Sequence, residues 1–386
     1  MKTIVLLCLL VTTSAIIARS QTSPAGTDAC TSLQRLALTD GKITMATVLA
    51  AGDISSIPGA NDHPELFRGM PAICRVAADL TPTADSLIKV EIWLPVAGWN
   101  RKFRAQGNGG FAGVIDFSSM ATAIRQGYAT AGTDTGHIGT DAKWALGHPE
   151  KTIDFGYRGV HEMSRQAKTI VHAYYGDAPA HSYFASCSDG GREALMEAQR
   201  FPEDYDGILA GAPANYWSRL VTNAMALEAR MLSNPDAYIP PAKVATITHA
   251  VLAACDASDG ITDGILNNPQ KCHFDPSVLL CKAEDSESCL TAPQLETLRQ
   301  IYDGVADTKG QKIFPGYTPG AEMSKGGWID WITGKQPGTS ILAFFGSQYF
   351  SNMVYSQPNW DYKSFHIDDA VKMADEKTAQ ALNATN

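Results

Sequence analysis

Residues 182–195 read Ser182-Tyr183-Phe184-Ala185-Ser186-Cys187-Ser188-Asp189-Gly190-Gly191-Arg192-Glu193-Ala194-Leu195. A short β-rich run enters one serine flanked by small residues, and helix-forming residues follow as far as Arg200. This is the pattern of a strand that turns sharply into a helix with a serine at the turn. The turn must be tight for the hydroxyl to stand clear of the sheet. Small residues two before and two after the serine let strand and helix approach, and here they are Ser186 and Gly190. Serine replaces the usual first glycine, slightly larger but compatible. A serine hydroxyl is a poor nucleophile until a base removes its proton and N–H donors meet the developing oxyanion. The backbone N–H of Asp189, at the helix start, is one natural donor. Gly109 or Gly110, after an earlier strand, supplies a second. The plain alternative is a glycine-rich turn with no chemistry.

The flanking sequence supports this placement. Residues 88–96 alternate apolar and polar with β-branched side chains and read as a strand; 103–106, 128–132, 181–185 and 206–210 read as further strands. Residues 159–175 carry helical periodicity through Val160, Met163, Ala167, Ile170, Val171 and Tyr174, and 190–200 form the next helix. Strand and helix alternate, as in an α/β fold with a parallel sheet covered by helices. After about residue 216 the pattern changes to helical segments (217–232, 240–254, 292–302) between cysteine-, glycine- and aromatic-rich loops. The expected organisation is therefore a catalytic α/β domain over 21–215 and a mostly helical, loop-built lid over 216–386.

The N-terminus sets the compartment. Met1-Lys2, an apolar run from Ile4 to Val11, and the small residues before Arg19-Ser20-Gln21 read as a secretory signal over 1–20, too short to span a bilayer. No later apolar run approaches the ~18 residues of a membrane span. The whole chain has net charge −9, and loss of Lys2 and Arg19 with the leader leaves 29 basic against 40 acidic residues. Such an acidic protein is a poor partner for nucleic acid or an anionic membrane. Removing Cys8 leaves seven cysteines, and in a secreted chain an odd number leaves one thiol over. Spacing suggests the local loops Cys255–Cys272 and Cys281–Cys289, with Cys30–Cys74 as the third pair and Cys187 unpaired. Zinc is the competing reading, but there is no Cys-x-x-Cys pair and the histidines are scattered.

Residues 255–266, Cys-Asp-Ala-Ser-Asp-Gly-Ile-Thr-Asp-Gly-Ile-Leu, place Asp256, Asp259 and Asp263 within eight residues, with glycines for sharp turns. Hard oxygen ligands in a turning loop suit structural Ca2+, with the carbonyls of Ile261 and Ile265 completing the shell. The spacing is not that of an EF-hand, and a solvated Asp/Gly turn is the alternative.

Together these segments resemble the tannase / feruloyl esterase family of α/β-hydrolases. The resemblance rests on Gly107-Asn108-Gly109-Gly110, Gly132-Thr133-Asp134-Thr135-Gly136-His137, Gly147-His148-Pro149-Glu150-Lys151, Asp154-Phe155-Gly156-Tyr157-Arg158, Cys187-Ser188-Asp189-Gly190-Gly191-Arg192, Phe201-Pro202-Glu203-Asp204-Tyr205-Asp206-Gly207-Ile208 and the Asp256–Ile265 loop. It implies an α/β-hydrolase domain with a large lid. It also implies hydrolysis of small or polysaccharide-linked phenolic esters, galloyl or hydroxycinnamoyl, through a Ser-His-Asp triad with Ser188 as nucleophile. By the same resemblance Asp256, Asp259 and Asp263 hold calcium with the two isoleucine carbonyls. The family's cysteine before the serine bonds to a cysteine beside the catalytic histidine, and that histidine and the aspartate lie beyond the lid. This sequence has no matching Cys-His step; Cys272-His273 belongs to the calcium region. The chain is therefore expected to be an inactive N-terminal portion with an exposed sheet edge and poor solubility.

The histidines do not rescue the triad at the sequence level. His137 and His148 fall in loops near the expected active face and are candidates for substrate contact. His161 and His172 fall in a helix, and His366 in an acidic stretch. Lid aromatics Tyr216, Trp217, Trp328, Trp331, Tyr349 and Phe350 are candidates to stack on a phenolic ring, though packing accounts for most such residues. Asn383-Ala384-Thr385 is a glycosylation sequon. Two other functions fit the same residues: a calcium-stabilised extracellular binding protein that has lost its triad, and another serine hydrolase such as a peptidase.

Overall fold

The computed structural model describes residues 26–385, so the expected signal segment lies outside the described residues. Among the described residues seven strands form one sheet in the order β1-β2-β3-β5-β4-β6-β7. They are β1 (Gly41–Leu49), β2 (Ile73–Leu80), β3 (Ile88–Pro95), β4 (Lys102–Ala105), β5 (Ala129–Thr133), β6 (His181–Cys187) and β7 (Gly207–Gly211). The neighbours β1/β2, β2/β3 and β3/β5 are antiparallel, while β5/β4, β4/β6 and β6/β7 are parallel.

The α-helices among the described residues are α1 (Gly26–Ser32), α2 (Phe117–Arg125), α3 (Pro149–Ile153), α4 (Gly159–Tyr175), α5 (Asp189–Arg200), α6 (Trp217–Ser233), α7 (Pro241–Cys255), α8 (Ala292–Asp303), α9 (Trp328–Trp331), α10 (Ile341–Gln348), α11 (Ile367–Ala374) and α12 (Gln380–Leu382). The parallel strands are linked by α2, α4 and α5, as crossover connections require.

Strand alternation distributes the core between the two faces of the sheet. On β3, Ile92 packs with Val160, Met163 and Ile170 of α4, while its neighbour Trp93 packs with Met120 and Ile124 of α2 on the other side. Both faces are covered, so β3 is buried almost throughout rather than alternating in exposure. The edge strand β7 differs. Leu209 is 63% exposed.

Residues after 216 build their own core from Leu227, Val244, Ile247, Leu298 and Trp328. A second cluster is shared with the α/β part: Phe111, Ala145 and Phe155 pack with Trp217, Tyr349, Phe350 and Leu382. Asn383 caps α6 by accepting from the Ser218 N–H at 3.0 Å, and the Ala384 N–H donates to the Asn215 carbonyl at 2.8 Å. The two ends of the helical part are thus tied to each other, beside the last residue of the α/β part. Disulfides join Cys30 to Cys74, Cys255 to Cys272 and Cys281 to Cys289, and Cys187 is free and exposed. Among the described residues no helix is long and apolar enough to cross a membrane.

Candidate active site

Ser188 sits between the end of β6 and the first residue of α5, with φ 64° and ψ −119°. A non-glycine residue at positive φ is strained, and it persists only where the surroundings fix it. Two hydrogen bonds do so here: Ser188 N–H to the Gly211 carbonyl at 3.0 Å, and Ala214 N–H to the Ser188 carbonyl at 3.2 Å. A Cβ at position 190 would overlap the Ser186 side chain and stand 2.9 Å from the Asn108 carbonyl, so only glycine fits. The serine lies at the carboxyl ends of the parallel strands, where α/β sheets open their ligand crevice.

The glycine loop after β4 is bolted to the same helix. Gly190 N–H donates to the Asn108 carbonyl at 2.9 Å, Asn108 N–H donates to Glu193 Oε2 at 2.9 Å, and Asn108 Nδ2 donates to the Ala112 carbonyl at 2.9 Å. Burial, followed by the Asp189 carboxylate nearby, pushes the Glu193 carboxyl up to about 8. Gly110 lines the cavity at Ser188, whereas Gly109 is not part of its wall.

Asp189 points away from the cavity. Its carboxylate and the Arg192 guanidinium, both fully buried, form a two-point pair at 2.6 and 3.1 Å. Arg192 also donates to the carbonyls of Gly156 (2.6 Å) and Phe155 (3.1 Å), and stands over the rings of Phe155 and Trp217 at 4.9 and 5.7 Å. One buried cation therefore couples the start of α5 to an aromatic wall of the cavity.

That cavity, about 480 Å³, brings Ser188 and Gly110 together with lid residues more than a hundred positions away. Trp217, Leu220 and Val221 of α6 form one wall; Trp328, Trp331, Leu342 and Phe345 form another; Tyr317 and Thr318 add hydroxyls. Among the described residues no charged side chain lines it. Of the lid aromatics singled out in the sequence, Trp217, Trp328 and Trp331 reach this cavity, while Tyr349 and Phe350 are fully buried in the shared core. Tyr317 and Phe345 had no local signal; only the folding of distant segments brings them here.

None of the nine histidines lines this cavity among the described residues. His137, a candidate for substrate contact, is buried instead. Its Nε2 donates to the Phe111 carbonyl at 2.7 Å, its ring stacks on Trp144 at 4.1 Å, and burial holds its pKa down at about 4. The second candidate, His148, pairs with Asp85 at 2.7 Å in a separate cleft. His161 pairs with Asp204 at 2.7 Å, and His172 and His366 are exposed.

In the 256–265 loop each carboxylate accepts from loop amides. Asp256 takes Gly264 N–H at 3.1 Å, Asp259 takes Ile261 N–H at 3.0 Å and Asn267 N–H at 3.2 Å, and Asp263 takes Ile265 N–H at 3.0 Å. The donor chemistry, carboxylate and carbonyl oxygen in a turning loop, fits calcium. The three carboxylates are not among the groups whose ligand atoms all lie within 4.8 Å of one another, so an ion would have to draw them inward.

Comparison with known proteins agrees with this arrangement. The family described as "Tannase and feruloyl esterase" matches residues 74–386. An uncharacterized esterase of Xanthomonas campestris pv. campestris is 39% identical over 377 residues, covering 95% of this chain and 64% of its own length. The probable feruloyl esterase B-2 of Aspergillus flavus is 34% identical over 312 residues, covering 80% of this chain and 58% of its own. The chain thus spans about three fifths of the length of these curated relatives. The crystal structure of feruloyl esterase B from Aspergillus oryzae superposes with TM-score 0.81 at 26% identity, over 92% of this chain and 70% of that one. The sheet, the serine turn and the helical lid are those of an α/β-hydrolase, and the chain belongs to the tannase and feruloyl esterase family.

Proposed function

We propose that this chain carries the nucleophile and acyl pocket of a secreted serine esterase that cleaves galloyl or hydroxycinnamoyl esters. The observation that carries the reading is the Ser188 turn, strained at φ 64°, opening on an uncharged cavity walled by indole and phenyl rings. Aromatic walls suit a planar phenolic acyl group, and the names of the fungal relatives point to the same substrates.

In this reading Ser188 Oγ attacks the ester carbonyl. The N–H groups of Asp189 and Gly110 meet the oxyanion, the alcohol leaves, and water cleaves the acyl-serine. Removing the serine proton takes a base. No histidine lines the cavity among the described residues. Asp256, Asp259 and Asp263, with the carbonyls of Ile261 and Ile265, hold structural Ca2+ that stiffens the lid and takes no part in the chemistry. Secretion is supported by the leader-like residues 1–20 and by three disulfides.

A fluorophosphonate probe tests the nucleophile without needing turnover. Labelling of the wild type and not of Ser188→Ala is expected; equal labelling of both refutes the reading. A panel of methyl ferulate, methyl gallate and peptide substrates then separates an esterase from a peptidase. The uncharged aromatic walls of the cavity also suit one second reading, a calcium-stabilised extracellular binding protein. It prevails if the folded chain binds ferulate but Ser188 resists the probe.

A further inference from the structure

Away from the Ser188 cavity, the α/β part gathers a second set of ligating side chains. His161 on α4, Glu197 on α5 and Asp204 on the turn before β7 each place a ligand atom within 4.8 Å of the others. His161 Nδ1 is 2.7 Å from Asp204 Oδ2, and the Phe201 ring lies flat on the imidazole at 3.7 Å, fixing its plane. Lys168 donates to the Asp204 backbone carbonyl, and its ammonium stands 3.9 Å from Asp204 Oδ1. It therefore faces the oxygen that does not meet His161.

Glu197 is the anomaly. It is fully buried, and its carboxyl meets only the Asp204 carboxyl beside it; no other hydrogen-bond partner reaches either oxygen among the described residues. Buried polar side chains are overwhelmingly paired, and an exception calls for an ion or water at that place. Here the carboxyl faces a histidine and a second carboxyl, with no cation between them but the Lys168 ammonium at the far oxygen of Asp204.

We propose that His161, Glu197 and Asp204 bind a zinc-class divalent cation, tying α4, α5 and the α5–β7 turn together about 13 Å along α5 from the serine turn. One imidazole nitrogen and two carboxylates suit zinc and its first-row neighbours, not calcium, which takes oxygen alone. Two carboxylates outweigh the single Lys168 ammonium. The partly exposed side chains of His161 and Asp204, at 20% and 12%, leave a way in for the ion. The site is independent of the esterase reading: it uses none of the residues around Ser188.

The test uses the full chain, stripped with a chelator and kept in excess calcium to occupy the lid loop. Zinc is titrated in, bound metal is counted by elemental mass spectrometry, and thermal unfolding is followed. About one zinc per chain with Kd below about 10 μM is expected, raising Tm by about 5 °C at saturation. Glu197→Gln and Asp204→Asn should each abolish the uptake and the shift. Wild type that takes up no zinc, or variants that bind as much as wild type, overturns the proposal. If neither variant folds, the spectrum of cobalt-loaded wild type decides. Bands of nitrogen and oxygen ligation support the site; thiolate charge-transfer bands, placing the ion at Cys187, sink it.

Discussion

The backbone N–H of Asn108 donates to Glu193 Oε2 at 2.9 Å, so the glycine loop after β4 and the helix after Ser188 move as one body. Glu193 is fully buried and its carboxyl is pushed up to about 8, so it is mostly neutral at pH 7. Glu193→Gln keeps an acceptor of the same shape and should cost less than about 1 kcal/mol. Glu193→Ala strands the Asn108 amide and leaves a cavity, at about 2–4 kcal/mol. Urea unfolding measures both. Equal losses would show that the bond to Asn108 does not matter.

At position 190 the constraint is steric. An added Cβ meets the Ser186 side chain on one side and the Asn108 carbonyl, at 2.9 Å, on the other. Gly190→Ala should therefore destabilise by about 1–3 kcal/mol and slow fluorophosphonate labelling of Ser188. Adding Ser186→Gly removes one obstacle and leaves the carbonyl, so the double variant should recover part of the loss. Full recovery would mean that the carbonyl yields freely.

The pair Asp189–Arg192 tests how the nucleophile helix is held. Arg192→Met leaves Asp189 buried and uncompensated, a loss of about 3–5 kcal/mol. Asp189→Asn in the same chain removes the stranded charge and should restore part of it. The variant also frees Trp217, whose ring the guanidinium overlies at 5.7 Å, so tryptophan fluorescence should change along with stability. No coupling between the two substitutions in urea unfolding would refute this account.

What could be read from the sequence was local. The step from β6 to α5 shows because apolar period and turn chemistry change within a few residues around Ser188, and the structure places that step where the pattern puts it. Spacing points to Cys255–Cys272 and Cys281–Cys289, and Cys30–Cys74 is the pair that remains; the structure forms all three. The antiparallel strand β1 is less legible, because the alternation of Lys42 and Thr44 with Ile43 and Met45 breaks where the register shifts between Ile43 and Met45. The cavity wall was only half legible. Trp328 and Trp331 stood out as aromatics, but Phe345 and Tyr317 become wall residues only through long-range packing of the lid against Gly110 and α6. His137 misled for the same reason. Its loop does lie near the active face, yet the ring turns inward onto Trp144 and the Phe111 carbonyl.

The sequon at Asn383 is a case where pattern and structure part. Its side chain both accepts from Ser218 N–H at 3.0 Å and donates to Ser218 Oγ at 2.9 Å, and Ala384 beside it is 2% exposed. The amide that a glycan would need is spent on capping α6. Protein from a eukaryotic host should carry no glycan at Asn383 by peptide mass spectrometry. Asn383→Ala should cost about 1 kcal/mol as a lost cap. A fully occupied sequon would contradict the packing of this segment.

Two buried groups give stability opposite dependences on pH. Burial holds His137 at about 4, below the ordinary value near 6.5, so the folded state favours the neutral ring. Its contribution, about 3 kcal/mol, is complete above pH 6.5 and is lost as pH falls to 4. Burial pushes Glu228 up to about 7 from 4.5, and its carboxyl accepts from Ser340 Oγ at the start of α10. The folded state therefore favours the protonated acid. That contribution, also about 3 kcal/mol, is complete below pH 4.5 and is lost as pH rises to 7. Between pH 4.5 and 6.5 the two slopes oppose each other. Glu228→Gln removes one of them while keeping an acceptor for Ser340. Relative to wild type, its unfolding free energy should gain with pH across 4.5–7 and level off above, read from urea melts at a series of pH values. A constant difference between the two curves would show that Glu228 is ionised in the folded protein throughout.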